Sequence, residues 1–294
     1  MPENRTSENR LPPWIKAKMP GGPKYMELKD LMRKKNLHTV CEEAHCPNIG
    51  ECWELGTATF MILGEICTRA CRYCAVTTGK PNELDTFEPI RVAESVKSMN
   101  LNYCVITAVN RDDLNDGGAG IFADCIKRIK ATSPNCKVEV LIPDLQGNWD
   151  ALKIILDEEP DVLNHNIEST REIFPIVRAK GNYDLSLTLL SKSKEINPNI
   201  VTKSGIIVGM GETTDQLKST MKDLRTVDCD LLTIGQYLRP SQKHLKTAKY
   251  YKPDEFETLK EIGLSLGFKH VASGPLVRSS YHADEQHLSA TSKS

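Results

Sequence analysis

Short apolar runs recur along the chain at 59–64 (TFMILG), 103–109 (YCVITAV), 137–143 (KVEVLIP), 162–167 (VLNHNI), 201–209 (VTKSGIIVG) and 231–238 (LLTIGQYL). Amphipathic helical patterns lie between them at 88–100, 119–130, 150–158, 184–196 and 214–227, with further ones at 24–36 and 253–266. Several open on Asp, Asn or Thr, whose side chains accept the free N–H groups of a first helical turn. Strands alternating with helices predict a parallel sheet joined by right-handed crossovers. Six such units are too few for a complete eight-stranded barrel. Polar residues gather just after the strand runs: Asn110, Arg111 and Asp112; Asp144 and Gln146; Asn166 and Glu168; Gln236 and Arg239. In α/β proteins that carboxyl edge is where chemistry is assembled. Residues 1–10 are polar, and the Pro-Pro and Pro-Gly-Gly stretches after them predict an extended arm and a turn.

The chain has 294 residues, 39% of them hydrophobic, enough to bury a core. Its 38 basic and 39 acidic residues give a formal net charge of -1, so no global field draws it to nucleic acid or to an anionic membrane. No apolar stretch reaches the length of a membrane span, and the N-terminus lacks the apolar segment of a secretory signal. The chain is expected in the cytoplasm. There, ten cysteines are unusual, and six fall between Cys41 and Cys74, where even spreading would put about one. Disulfide frameworks belong to short secreted domains and do not suit this chain. Cys104, Cys125, Cys136 and Cys229 stand singly in apolar or mixed segments, as small core residues do.

The six form two triplets, Cys41, Cys46 and Cys52 spaced C-x4-C-x5-C, and Cys67, Cys71 and Cys74 spaced C-x3-C-x2-C. Structural zinc sites close with four ligands in two short-spaced pairs, which neither triplet offers. A zinc-stabilised nucleic-acid-binding protein is the alternative from a different class, against which that spacing and the neutral charge both speak. His45, the one histidine in the window, reads as a supporting or surface residue. Three thiolates suit a [4Fe–4S] cluster that leaves one iron free for another ligand.

Cys67, Cys71 and Cys74, with Tyr73 before the last of them, resemble the signature of the radical S-adenosylmethionine superfamily. Five further segments resemble the lipoyl synthase family over nearly the whole chain: CEEAHCPNIGECW at 41–53, TATFMILG at 57–64, RDDL at 111–114, GQYLRPS at 235–241 and RSSYHA at 278–283. The fold this implies is α/β, a partial (β/α)6 TIM-type barrel over 57–268. An N-terminal extension, 1–56, and a C-terminal tail, 269–294, would cover its open end. The activity it implies is insertion of two sulfur atoms at C6 and C8 of a protein-bound octanoyl chain. Those C–H bonds are unactivated, so a cofactor-derived radical is required. By the same resemblance, two [4Fe–4S] clusters and S-adenosylmethionine are the cofactors. Cys67, Cys71 and Cys74 would hold the radical-generating cluster, and Cys41, Cys46 and Cys52, with Ser280 as fourth ligand, an auxiliary cluster spent as sulfur donor. A serine oxygen is a poorer partner for such iron than a thiolate and would release it readily.

The resemblance further implies Tyr73, Asn110, Asn166, Glu168, Lys203 and Gln236 as S-adenosylmethionine contacts. After Arg178 the sequence departs from the family, with Ala179-Lys180 in place of Pro-Gly, and Arg178 is left out of that set. Gly209-Met210-Gly211-Glu212 lacks the spacing of a phosphate loop and reads as a tight turn. The basic stretch Lys243 to Lys252 reads as a solvated face, with contact to a carrier domain as the alternative. Implied partners are octanoylated lipoyl carrier domains, those of 2-oxoacid dehydrogenase E2 subunits and the glycine cleavage H protein, and a flavodoxin or ferredoxin as electron donor. No nucleic-acid or membrane partner is expected. Another radical sulfur-inserting or methylthio-transferring enzyme is the nearest alternative.

Overall fold

The computed structural model describes residues 11–17, 20–35, 37–43, 46–54 and 59–291. Residues 1–10 and His45, read above, lie outside them. Eight strands form one sheet in chain order: β1 His38–Thr39, β2 Thr59–Ile62, β3 Tyr103–Ala108, β4 Lys137–Leu141, β5 Val162–Asn164, β6 Val201–Val208, β7 Leu231–Gln236 and β8 His270–Gly274. β1 pairs antiparallel with β2, and every pairing from β2 to β8 is parallel. All six apolar runs are strands, β2 to β7. Helices cover the outer face of a sheet curved as a partial TIM-type barrel, so both faces are dry and the strands need no polar alternation. β2, β6 and β7 show this directly, being buried along nearly their whole length.

The seven helical patterns are found as helices, from Pro23–Lys34 to Pro253–Ser265. Three open on caps of the expected kind. Asn148 accepts from Ala151 N at 3.1 Å and Asn182 from Leu185 N at 2.9 Å. Thr213 and Gln216 form a reciprocal capping box. Each such cap contributes about 1 kcal/mol.

Two strands have no counterpart among the six runs. β1 is only two residues long. β8, whose sequence is HVASG, begins inside the segment read as tail and adds a seventh parallel strand against β7. After it the chain doubles back, and Val277 passes so close to β7 that a Cβ on Gly235 would lie 2.1 Å from its carbonyl oxygen. Only glycine permits that approach. A last helix, Ala283–Thr291, packs Ala283 on Tyr103 and Val105, and Ala290 on Val162, Val201 and Leu231. The last three are the first residues of β5, β6 and β7, so this helix seals the amino-terminal end of the barrel.

The N-terminal extension packs on itself and is tied to the C-terminal part of the chain. Tyr25 stacks on the fully buried Trp53 with ring centroids 5.1 Å apart, and Trp14 donates to Tyr251 O at 3.0 Å. Asn48 Nδ2 donates to Leu276 O at 2.6 Å, which holds the Cys41–Cys52 segment against the tail.

Candidate active site

The carboxyl ends of the strands, the first cysteine segment and the tail enclose a cavity of about 380 Å³. Its walls include Cys41 and Cys46 from the first triplet, all three of Cys67, Cys71 and Cys74, and Ser280. Cys52 stands behind Cys41 and Cys46, near enough that its thiol is pushed up to about 12 by burial and then by both of them. Burial, and then Cys46, lifts Cys41 to about 12 as well. Burial also raises Cys74 to about 12, with Cys71 and Cys67 adding to the shift. Thiols so raised keep their protons until a metal displaces them.

The sulfurs cluster without converging on one point. Among the described residues, the one set of three potential ligands whose donor atoms all lie within 4.8 Å of one another is His38, Glu43 and Glu65, not a cysteine triplet. A single zinc ion needs such convergence. A cubane does not, because each thiolate binds a different iron atom.

The Cys67–Cys74 loop is held from several sides. Cys67 Sγ accepts from Arg69 N and Asn110 N, both at 3.4 Å, and from Asn110 Nδ2 at 3.8 Å. Arg69, within the loop and 5% exposed, spreads its guanidinium over two carboxylates. Nη1 and Nη2 reach Asp144 at 2.5 and 2.7 Å, and Nε and Nη2 reach Asp112 at 2.8 and 2.7 Å. The sequence marks Asp112 and Asp144 as strand-end residues but gives no sign that one arginine joins them to the loop.

Burial raises the Asp144 carboxyl, yet the hydrogen bonds and charge of Arg69 outweigh it and hold the group at about 2. A depressed folded-state value stabilises the fold fully above the unfolded value, and this stabilisation is lost as pH falls through the folded one. Asp144 is therefore expected to contribute about 2 kcal/mol at neutral pH that disappears between about pH 4 and 2. Urea unfolding of the Asp144→Asn apo-protein checks this; an unchanged midpoint at pH 7 would contradict it.

Of the expected S-adenosylmethionine contacts, Tyr73, Asn110, Asn166, Glu168 and Gln236 line the cavity. Burial raises both Tyr73 and Glu168. Asn110 Oδ1 and Asn166 Oδ1 are buried with no hydrogen-bond partner. Buried polar atoms are usually paired, so these two oxygens on the cavity wall are open to a donor. Gln236 reaches the cavity but its amide is committed to backbone: Nε2 donates to Val208, Tyr237 and Lys249, and Oε1 accepts from Tyr251 N.

Lys203 is not among the residues that line the cavity. It is the third residue of the eight-residue β6, wholly buried and below the cavity, with its ammonium on Glu139 at 3.0 and 3.2 Å. Arg178 is the converse. A backbone bond from Arg72 N to Val177 O, at 2.9 Å, fastens its segment to the cysteine loop. Its guanidinium enters the cavity, where Nη1 donates to Asn166 O at 3.2 Å and the buried Nε has no partner. Burial is the largest single effect on Arg178 and disfavours its charge, yet Tyr73, Glu168 and Cys71 together outweigh it and hold the guanidinium charged. Arg278 is half-buried in this wall, with Cys46 beside it.

Comparison with known proteins agrees with this geometry. The radical SAM superfamily pattern matches residues 61–224, and that of the N-terminal domain of lipoyl synthase matches residues 1–46. Lipoyl synthase of Halalkalibacterium halodurans is 59% identical over 278 residues, 94% of this chain and 92% of its own. That of Bacillus subtilis is 57% identical over 285 residues, 97% of this chain and 96% of its own. Among solved structures, methylornithine synthase superposes with a TM-score of 0.55 at 15% identity, covering 71% of this chain and 62% of its own. A maturase of the [FeFe]-hydrogenase gives 0.57 at 15%, covering 71% and 49%. At that identity the likeness concerns the fold alone.

Proposed function

Since the chain belongs to the lipoyl synthase family of radical S-adenosylmethionine enzymes, we propose that its two cysteine triplets divide the work of inserting sulfur into an octanoyl chain. The family brings one [4Fe–4S] cluster and S-adenosylmethionine. In the proposal, Cys67, Cys71 and Cys74 hold that cluster, and Cys41, Cys46, Cys52 and Ser280 hold a second. When bound, the first would supply the electron that cleaves S-adenosylmethionine to methionine and a 5′-deoxyadenosyl radical, one cleavage for the hydrogen at C6 and a second for that at C8, and the second cluster would supply the sulfur.

The observation that carries the proposal is that members of both triplets and Ser280 face one cavity although Cys41 and Ser280 stand at opposite ends of the chain. The protein's own residues account for the rest. Arg178 presents a charged, incompletely bonded guanidinium suited to the cofactor carboxylate, and the free oxygens of Asn110 and Asn166 are suited to its donors. Met61, Val109, Ile142, Ile206 and Ile207 form apolar wall. Such a wall fits an alkyl chain and excludes the water that would divert a radical. Arg69 fixes the loop that carries three ligands, as supporting residues of metal sites do.

The proposed substrates are octanoylated lipoyl carrier domains, those of 2-oxoacid dehydrogenase E2 subunits and the glycine cleavage H protein. A flavodoxin or ferredoxin would supply the electron. No described helix is long and apolar enough to cross a membrane. The proposed compartment is the cytoplasm, where thiols stay reduced. Incubating the anaerobically reconstituted protein with octanoylated carrier peptide, S-adenosylmethionine and dithionite is expected to raise the peptide mass by two sulfurs as the dithiol, and by two sulfurs less two hydrogens once the product is oxidised to the dithiolane. A peptide returned unchanged while S-adenosylmethionine is cleaved would overturn the substrate assignment.

A further inference from the structure

Three segments meet on the outer side of the Cys67–Cys74 loop. Arg72 N donates to Val177 O at 2.9 Å, and Leu245 N to Arg72 O at 3.0 Å. Lys180 Nζ reaches Thr68 O at 3.2 Å, and His244 Nε2 lies 2.9 Å from Cys74 O. The stretches involved, 66–81, 173–183 and 238–253, contain ten lysines and arginines and no aspartate or glutamate. In a chain of net charge -1, that is a local cationic collar. Arg69 and Arg178 are turned inward, and Lys249 is neutralised by Glu255 at 2.6 Å. Arg72, Lys180, Lys243 and Lys246 are exposed. The other cysteine segment has the opposite character: residues 41–54 contain four glutamates and no lysine or arginine.

We propose that this collar is the docking surface for a small acidic one-electron carrier protein that reduces the cluster of Cys67, Cys71 and Cys74. The inference rests on the assignment of that cluster above. Each cleavage consumes one electron, given up by the carrier, whose own centre is oxidised by one electron. Outside the two triplets, the remaining cysteines are Cys104, Cys125, Cys136 and Cys229, all buried; Cys104 lies beside Cys136 and near Cys125, but at the amino-terminal end of β3 and β4, so no further cysteine set adjoins the Cys67–Cys74 loop to serve as a relay cluster. The electron must then enter across the surface nearest the loop, and that surface is cationic. Charge of this kind acts through encounter rate and weakens with salt. Its cations belong to segments bonded to Thr68, Arg72 and Cys74, and the Cys41–Cys52 side contributes none.

The test is the triple variant Lys180→Glu, Lys243→Glu, Lys246→Glu in the full-length reconstituted protein, with flavodoxin as probe. Flavodoxin affinity, read by fluorescence anisotropy, is expected to fall about tenfold or more at about 0.02 M salt and to lose most of its salt dependence. Cleavage of S-adenosylmethionine driven by reduced flavodoxin should fall in parallel. Cleavage driven by dithionite should stay within about twofold of the parent protein, since a small reductant needs no docking surface. Unchanged flavodoxin affinity would overturn the proposal. So would a variant that keeps flavodoxin affinity but loses binding of an octanoylated carrier domain, which would give the collar to the substrate. If the parent protein with dithionite cleaves no S-adenosylmethionine, the cluster assignment fails instead, whatever the affinities.

Discussion

Alanine at Cys67 will take 5′-deoxyadenosine formation to background, whereas alanine at Cys41 will leave measurable cleavage of S-adenosylmethionine and abolish the lipoyl product. The two cysteines line the same cavity, so a general loss of structure would affect both reactions alike. The difference expected comes from which triplet each belongs to. Cys67 is the most heavily supported of the three in its loop, accepting from the backbone of Arg69 and Asn110 and from the Asn110 amide. On the proposed assignment its removal takes away a ligand, so the loss should exceed the roughly 10- to 100-fold typical of a supporting residue. Anaerobic mass spectrometry of both products, on proteins whose iron content falls by about four per chain in each variant, is the measurement. Equal loss of both reactions in an iron-verified Cys41→Ala protein would refute the division of labour.

The second large effect concerns stability and lies below the cavity. Lys203 and Glu139 are both fully buried, 3.0 Å apart, and Glu139 also accepts from Tyr103 OH at 2.8 Å and from Asn164 Nδ2 at 2.9 Å. Burial lowers the Lys203 ammonium from its ordinary value, and Glu139 opposes this. Removing one member of such a pair strands the other charge and costs about 3–5 kcal/mol, whereas replacing both with apolar groups is close to neutral. Lys203→Met is therefore expected to destabilise the apo-protein strongly in urea unfolding. The double variant Lys203→Met, Glu139→Gln, which removes both charges but keeps an acceptor for Tyr103 and Asn164, should recover most of that loss and, after reconstitution, cleave S-adenosylmethionine normally. A stable double variant that no longer binds S-adenosylmethionine would return Lys203 to the cofactor site.

Lys203 also shows where reading the sequence alone falls short. The run 201–209 is visible as a strand, but chemistry in this architecture gathers at the carboxyl ends. The third of eight strand residues points into the lower barrel. The same six runs are legible because parallel strands covered on both faces are continuously apolar. β8 is not, since His270, Ala272, Ser273 and Gly274 are small or polar and only Val271 is deeply buried. The cysteines and Ser280 are legible because few side chains can ligate iron, and their spacing is unusual. Arg178 is not legible as a cavity residue, because the hydrogen bond that brings it there joins backbone atoms of Arg72 and Val177, to which side-chain identity gives no clue.

The order in which the cavity wall is synthesised has a consequence of its own. Ser280 leaves the ribosome 228 residues after Cys52, a delay of roughly 10 to 50 s at about 5–20 residues per second. Throughout that interval the nascent barrel lacks its seventh parallel strand, its sealing helix and the Leu276 carbonyl that anchors Asn48. Six thiols are meanwhile in reach of oxidants and stray metal ions. On the proposed assignment, the first triplet thus gains its fourth ligand and its anchor to the tail only after β8 has been made, and chains that terminate before β8 would leave the ribosome with an unsealed barrel and a first triplet lacking that anchor.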